Sequence, residues 1–232
     1  MKGNDKIKRV GTGVDGLDNL IEGGFPDGSI ILVAGTPGTG KTILGLQFLY
    51  EGAKNNEMGI FISFEQEKKD IFRQASRFGW DLDDLEKKNL MRVVSMWPSS
   101  FDEVITKIFK CLYYKPQRLV IDSITSITYS MKDNREAIHK MAEKLKGSGL
   151  TAILTSELLS GQRGFSRDGV SEFVSDGLIL LKSLEVAGEH KNLLRVEKMR
   201  SSKINKESHL YDITDDGLQL TSPIEAKVKK RV

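Results

Sequence analysis

Eight residues early in the chain, 35–42, read Gly-Thr-Pro-Gly-Thr-Gly-Lys-Thr and match the pattern G-x-x-x-x-G-K-[ST]. Glycines let the backbone wrap an anion with its amide N–H groups, and the start of a following helix adds partial positive charge. Lys41 would reach the β- and γ-phosphates of a nucleotide, and the Thr42 hydroxyl would bind Mg²⁺. The predicted nucleotide-binding residues are Gly35, Thr36, Pro37, Gly38, Thr39, Gly40, Lys41 and Thr42.

Such a loop must lie between a buried strand and a helix, and its flanks meet that requirement. The preceding residues read Ser-Ile-Ile-Leu-Val-Ala, and a helical stretch follows the loop. Elsewhere, short apolar runs alternate with amphipathic stretches, which is typical of an α/β fold with a mostly parallel sheet covered by helices on both faces. The predicted strands are 30–34, 59–63, 90–94, 118–121, 151–155 and 177–182, and the predicted helices are 42–54, 68–78, 101–111 and 134–146, the last capped by Asp133.

A second acidic group would be needed to hold the metal. The apolar run Arg-Leu-Val-Ile that begins at Arg118 ends in Asp122, as in a Walker B element. Many strands end in an aspartate for structural reasons alone, but the position of this one, about eighty residues after the loop, favours the metal role. We therefore predict that Thr42 and Asp122 bind Mg²⁺.

Hydrolysis would also need a group that orients or deprotonates the attacking water. The strand predicted at 59–63 is followed by Phe-Glu-Gln-Glu. A carboxylate at the C-terminal edge of a parallel strand beside the loop strand points into the ligand crevice. Glu65 is therefore the predicted catalytic carboxylate. The alternative, a solvated acidic turn, suits Glu67 better than Glu65.

Composition narrows the classes of partner and metal. Lys and Arg number 35 against 32 Asp and Glu, so overall charge does not predict a nucleic acid or membrane partner. Cys111 is the only cysteine and the three histidines are far apart, which excludes an intrachain disulfide and a cysteine metal cluster. The apolar runs are strand-sized and the start is polar, so we expect a cytoplasmic protein without a membrane partner.

The chain reads as a single domain over residues 1–232, with a lead-in at 1–9 and a basic tail at 223–232. The pattern changes after residue 182, where segments 192–199 and 208–214 are predicted as late strands. We expect these strands to form a C-terminal β extension of the sheet.

Several segments together resemble one family. Val-Gly-Thr-Gly-Val-Asp-Gly-Leu-Asp at 10–18 leads into the loop, and Arg-Asp-Gly-Val-Ser-Glu-Phe-Val-Ser-Asp-Gly at 167–177 and Arg-Val-Glu-Lys-Met-Arg at 195–200 follow it. In combination they are similar to a single-domain member of the KaiC-like branch of the RecA/RadA ATPase superfamily, over almost the whole chain. The resemblance implies a RecA-like P-loop NTPase core, with ATP and Mg²⁺ bound between neighbouring subunits of a homo-oligomeric ring, usually a hexamer.

The resemblance also assigns residues that would act on a neighbouring subunit. Lys198 and Arg200 match the Lys-x-Arg that reaches the neighbour's γ-phosphate, and Ser202 and Asp215 match positions that help hold the same nucleotide. A guanidinium supplied in trans is typically worth about 10³–10⁵ in rate, and a head-to-tail contact that closes makes a ring. From the residues alone, Lys198 and Arg200 would be an ordinary basic pair on an edge strand.

The sequence departs from the family pattern at several positions. Gln66 replaces the second acid of the catalytic pair, which predicts slow hydrolysis; a harmless replacement is the alternative. Ser201 and Ile204 replace a glycine and a histidine, which puts the expected contacts to base and ribose in doubt. Glu172 and Phe173 align with the serine and threonine that phosphorylating relatives modify on themselves, and neither carries a hydroxyl, so autokinase activity is not expected.

Three functions are open at this point. The first is a regulatory ring ATPase whose nucleotide state signals to partner proteins. The second is a recombinase-like ATPase of recombination or repair that binds single-stranded DNA through segments 127–134 and 160–171. In the second of these segments, Arg163 would contact a phosphate and Phe165 would stack on a base. A loop lining the ring pore or the subunit contact is the other interpretation of these segments. The third, favoured by Gln66, is a nucleotide-binding switch with negligible turnover.

Overall fold

The computed structural model describes residues 7–97, 100–128, 135–159, 164–186 and 189–223. Within these ranges the strands are β1 Arg9–Val10, β2 Phe25–Pro26, β3 Ile30–Gly35, β4 Gly59–Ser63, β5 Met91–Ser95, β6 Arg118–Asp122, β7 Thr151–Glu157, β8 Gly177–Val186, β9 Glu189–Met199, β10 His209–Thr214 and β11 Gly217–Pro223. The helices are α1 Leu17–Leu20, α2 Lys41–Lys54, α3 Lys68–Ser76, α4 Leu82–Lys87, α5 Phe101–Cys111, α6 Ile124–Thr128, α7 Arg135–Gly147 and α8 Ser171–Val174, with a 3₁₀ turn at Leu112–Tyr114.

Nine strands form one sheet in the order β11-β10-β9-β8-β3-β7-β6-β4-β5. The strands from β8 to β5 run parallel, and β9, β10 and β11 add to them as an antiparallel extension. Because parallel strands end at the same edge of a sheet, the segments that follow β3, β4 and β6 meet there. The predicted α/β fold, with a mostly parallel sheet and a C-terminal β extension, is confirmed.

The core lies on both faces of the sheet, because successive side chains of a strand point to opposite faces. On β3, Ile31 and Val33 pack in the cluster that contains the apolar residues of α2. Leu32, on the opposite face, packs in the cluster that contains the buried residues of α5 and α7. A strand buried on both sides reads as a continuous apolar run, which is why β3 was visible in the sequence.

The predicted elements correspond to observed ones within a few residues at their ends, but smaller elements were missed. Strand β11 pairs with β10 at the edge of the sheet, and its sequence, Gly-Leu-Gln-Leu-Thr-Ser-Pro, has few residues with strong strand preference. Helix α4 has six residues and is capped by Asp81, whose side chain accepts a hydrogen bond from the backbone N–H of Asp84. The cap predicted at Asp133 lies outside the described residues.

Arg118, the first residue of β6, joins three distant segments from a position where its side chain is only 2% exposed. Its Nε donates to Glu57 Oε2 at 2.7 Å, and its Nη1 donates to the carbonyl oxygens of Gly11 at 2.8 Å and Phe48 at 2.7 Å. Helix α2 comes so close that a Cβ at Gly52 would lie 2.5 Å from Arg118 Cδ. The guanidinium therefore ties the N-terminal segment and the end of α2 to the sheet.

Replacing this side chain should be costly for stability. We expect Arg118→Met to lower the free energy of unfolding by about 3 kcal/mol, because Glu57 and two carbonyl groups lose their donors. Urea denaturation measures the change. Arg73→Met is the matched control, since Arg73 is 80% exposed where it pairs with Asp70, and it should change stability by less than about 0.5 kcal/mol. Equal losses in both variants would contradict the structural role of Arg118.

Candidate nucleotide-binding and catalytic site

The phosphate loop joins β3 to α2 at the C-terminal edge of the parallel strands. Gly38 and Gly40 have φ angles of 81° and 82°, in the left-handed region that glycine adopts without strain. Thr39 is fully buried, and its hydroxyl donates to the carbonyl oxygen of Thr36 at 2.8 Å. The loop therefore has the backbone conformation and internal support that a phosphate-binding nest needs.

Lys41 lies inside this loop and is only 8% exposed. Its ammonium donates to the carbonyl oxygens of Gly35 at 3.0 Å and Thr36 at 3.1 Å. Burial lowers the pKa of Lys41, and the carboxylates of Glu157, Asp122 and Glu65 oppose that shift. The surrounding acids thus favour the charged form that binding of phosphate requires.

Thr42 and Asp122 form the predicted metal pair. The Thr42 hydroxyl donates to Asp122 Oδ2 at 2.8 Å, and the Thr155 hydroxyl donates to Asp122 Oδ1. Asp122 is 3% exposed, and burial raises its pKa. Because the Thr42 hydroxyl donates its hydrogen bond to Asp122, the lone pairs of its oxygen stay available to a cation. A hydroxyl and a carboxylate are hard oxygen donors, so the pair fits Mg²⁺.

A metal bound there would take its other ligands from water and substrate. Across the described parts of the chain, no group of three or more His, Cys, Asp and Glu side chains is placed to hold a metal ion. Mg²⁺ commonly binds through one or two protein oxygens, with phosphate oxygens and water completing its octahedron. The sparse set of protein ligands therefore suits a metal that arrives with a nucleotide.

Glu65 follows β4, whose neighbour β6 ends in Asp122. Its Oε1 accepts hydrogen bonds from the hydroxyls of Ser126, at 2.8 Å, and Ser123. The backbone N–H of Phe64 donates to the Asp122 carbonyl oxygen at 2.8 Å, so the ends of the two strands are joined. The structure thus places the predicted catalytic carboxylate beside the metal pair and holds it with two hydroxyl groups.

Sequence reasoning missed those two hydroxyl groups. The signal was present as the run Asp-Ser-Ile-Thr-Ser from Asp122 to Ser126, which places hydroxyl side chains directly after the metal carboxylate. Nothing in that run shows that Ser126 contacts Glu65, because the two residues are 61 positions apart in the sequence.

The predicted pair Lys198 and Arg200 lies near the N-terminal ends of the parallel strands, opposite the ends that carry the phosphate loop. Arg200 Nη1 contacts Asp176 Oδ1 at 3.0 Å, and the backbone N–H of Asp176 donates to the carbonyl oxygen of Ile30 at the start of β3. The phosphate loop begins at the far end of β3, about 16 Å away at 3.3 Å per residue. Arg200 therefore cannot reach a nucleotide held by the loop of its own chain.

Lys198 is held close to α8. Its ammonium donates to the carbonyl oxygens of Ser175 at 2.5 Å and Glu172 at 3.1 Å. Burial lowers the pKa of Lys198, and the nearby charge of Arg200 acts in the same direction. These two bonds fix Lys198 beside Arg200 at the end of β9.

The structure does not bring Ser202 and Asp215 together within one subunit. Ser202 accepts a hydrogen bond from the Arg9 guanidinium, close to the Arg200 end of β9. Asp215 lies in the turn between β10 and β11, where its side chain is 84% exposed and contacts Arg77 at 3.3 Å. That turn adjoins the phosphate loop, since a Cβ at Gly40 would lie 3.0 Å from Ile213 Cδ1. The nucleotide-binding roles of Ser202 and Asp215 stay predictions.

Both candidate DNA segments are described only in part. Residues 129–134 and 160–163, including Arg163, lie outside the described ranges, as does the tail from residue 224 onward. Phe165 packs, half-buried, against the core cluster that contains the buried residues of β7. In the described ranges, no helix has the length and apolar character needed to cross a membrane.

Comparison with known proteins agrees with this geometry. A family model described as "ATPase: KaiC" matches residues 10–225. The chain belongs to the KaiC ATPase family. The predicted resemblance and the ATP-binding ATPase class are therefore confirmed.

Family members of two sizes are similar to this chain. The "Circadian clock oscillator protein KaiC" of Prochlorococcus marinus is 35% identical over 92% of this chain and 45% of its own length, so the chain spans about half of that relative. The "UPF0273 protein PH0284" of Pyrococcus horikoshii is 33% identical over 91% of this chain and 93% of its own length. The crystal structure of the KaiC-like protein PH0186 from Pyrococcus horikoshii superposes on this chain with a TM-score of 0.86 at 34% sequence identity. The match covers 93% of this chain and 100% of that one.

Proposed function

We propose that this KaiC-family chain is a Mg²⁺-dependent ATP hydrolase that works in a homo-oligomeric ring and signals its nucleotide state to partner proteins. The observation that carries the proposal is the meeting of the phosphate loop, the Thr42–Asp122 pair and the held Glu65 carboxylate at one sheet edge. Phosphoryl transfer needs these parts together: a phosphate cradle, a metal site and a group that orients water.

Each part has a distinct task in hydrolysis. The loop amides and Lys41 bind the phosphates and neutralise their charge. Mg²⁺, when bound by Thr42 and Asp122, supplies positive charge to the β- and γ-phosphate oxygens. Glu65, held by Ser123 and Ser126, orients the attacking water and accepts its proton. With glutamine at position 66, one carboxylate does this alone, which supports slow turnover.

The position of Arg200 supports action between subunits. It pairs with Asp176 beside the start of β3, away from the phosphate loop of its own chain, so under this proposal its charge acts on the nucleotide of another copy. A contact of this kind joins two different faces, and its repetition closes a ring when the rotation allows. A hexamer is the ring size that the family resemblance favours.

The first test is Lys41→Ala. We expect ATP affinity to fall by about 100-fold, because a buried charge-assisted contact to phosphate is lost. Isothermal titration calorimetry with Mg-ATP measures the change. Lys54→Ala is the matched control, since Lys54 ends the same helix at the surface and pairs with Glu51, and it should bind as the unchanged protein does. Unchanged affinity in Lys41→Ala would refute the phosphate-loop assignment.

Steady-state hydrolysis with and without single-stranded DNA separates the proposed function from its alternative. We expect a slow rate that DNA does not change. Stimulation by DNA would instead support a recombinase-like function and make segment 160–171 the place to mutate.

A further inference from the structure

The hairpin formed by β10 and β11 packs on the helix that follows the phosphate loop. Gln47 of α2 is 6% exposed, and its amide makes two hydrogen bonds with the backbone of Leu218, donating to the carbonyl oxygen at 3.2 Å and accepting from the N–H at 2.8 Å. The same amide also donates to the Gly13 carbonyl oxygen at 2.7 Å. A Cβ at Gly217 would lie 2.6 Å from Gln47 Oε1, so the hairpin backbone approaches α2 closely.

A second contact joins the hairpin to the loop itself. Tyr211 of β10 is 1% exposed, and its hydroxyl donates to the carbonyl oxygen of Thr39 at 2.6 Å. Burial raises the pKa of this phenol, so it keeps its proton at neutral pH. The Thr39 carbonyl group is thereby fixed in direction by a side chain that lies 172 positions away in sequence.

This contact determines where one loop amide points. The peptide unit between Thr39 and Gly40 is planar, and in a trans peptide the C=O and N–H bonds point in opposite directions. With the carbonyl oxygen held by Tyr211, the N–H of Gly40 faces away from the hairpin. Gly40 has a φ of 82° and no side chain, so without this bond the unit is freer to rotate.

We propose that Tyr211 is a positioning residue for the phosphate loop. Its hydroxyl holds the Thr39–Gly40 peptide so that the N–H of Gly40 is directed toward the nucleotide phosphates. The proposal rests on the proposed function only in that the loop binds a nucleotide. It adds a role for the C-terminal β extension, which supports the loop of its own chain through the hydrogen bond from Tyr211 to Thr39.

Tyr211→Phe tests the proposal, because it keeps the buried ring and removes only the hydroxyl. We expect affinity for Mg-ATP and for ADP to fall about five- to tenfold, as for one lost hydrogen bond. Hydrogen exchange of the loop amides in residues 36–42 should become faster, with or without nucleotide. Tyr50→Phe is the control, since Tyr50 lies on α2 and stacks on Trp80 with ring centroids 5.4 Å apart, and both readouts should stay unchanged.

The outcomes separate the two proposals. If the unchanged protein binds ATP but does not hydrolyse it, the proposed function fails, and the affinity and hydrogen exchange of Tyr211→Phe still test the positioning role. If the unchanged protein binds no nucleotide at all, both proposals fail. If the unchanged protein binds ATP and Tyr211→Phe binds it equally well, the positioning role is overturned even when the melting temperature falls. A similar loss of affinity in Tyr50→Phe would also overturn it, because the effect would then not come from the contact with Thr39.

Discussion

Glu65→Gln is expected to bind Mg-ATP as tightly as the unchanged protein and to hydrolyse it about 10²–10⁴-fold more slowly. The amide has the shape of the carboxylate, and its oxygen can still accept the hydrogen bonds from Ser123 and Ser126. It cannot take a proton from water. Phosphate release under steady-state conditions gives the rate, and calorimetric titration with Mg-ATP gives the affinity.

The matched control for this variant is Glu67→Gln, two residues further along the same segment. Glu67 is exposed and contacts Lys69 at 2.7 Å, so its loss should leave the rate unchanged. If Glu65→Gln kept a rate close to that of the unchanged protein, another group would have to orient the water. If it lost affinity as well as rate, the carboxylate would act in binding and not only in the chemical step.

Arg200→Ala is expected to lower turnover by about 10³-fold or more, because under the proposed function the transition state loses a guanidinium that stabilises its developing charge. Stability should change by less than about 1 kcal/mol, since the Arg200 side chain is 54% exposed where it contacts Asp176. Lys206→Ala, which changes an exposed cation in the segment after β9, should keep the rate. The measurement is steady-state hydrolysis of the pure variants.

Mixed rings then test whether Arg200 acts on a neighbour. In rings assembled from equal amounts of Arg200→Ala and Glu65→Gln subunits, a site is intact when its loop comes from the first variant and its arginine from the second. With random assembly this holds for about one quarter of the sites, so about one quarter of the normal rate should return. If mixing restored no activity, action between subunits would be refuted.

The parts of the site that are encoded locally could be predicted from the sequence. The phosphate loop, its strand and its helix are one continuous segment, and Asp122 and Glu65 each follow an apolar strand. Strands that run parallel bring their ends to one edge, so the meeting of these residues followed from the fold class.

The remainder depends on contacts between distant parts of the chain. Tyr211 touches Thr39 across 172 residues, and Gln47 binds Leu218 across 171, and no periodicity in the sequence marks either pair. Strand β11 was missed because its preference for strand structure is weak and it is stabilised by pairing with β10. Arg200 and Ser202 were assigned from the family resemblance, because from the residues alone Arg200 belongs to an ordinary basic pair.

Two parts of the antiparallel extension, the end of β9 and strand β10, have different proposed roles. Under the proposed function, Arg200 at the end of β9 acts on the next subunit, and the Tyr211 hydroxyl of β10 binds the loop of its own subunit. Only a short stretch of polypeptide separates these two points. If a loop moves when it binds or releases a nucleotide, and the extension carries that movement, the arginine that the following site needs would move as well. Consecutive sites around the ring would then empty and fill in a correlated order, with a Hill coefficient for ATP above one.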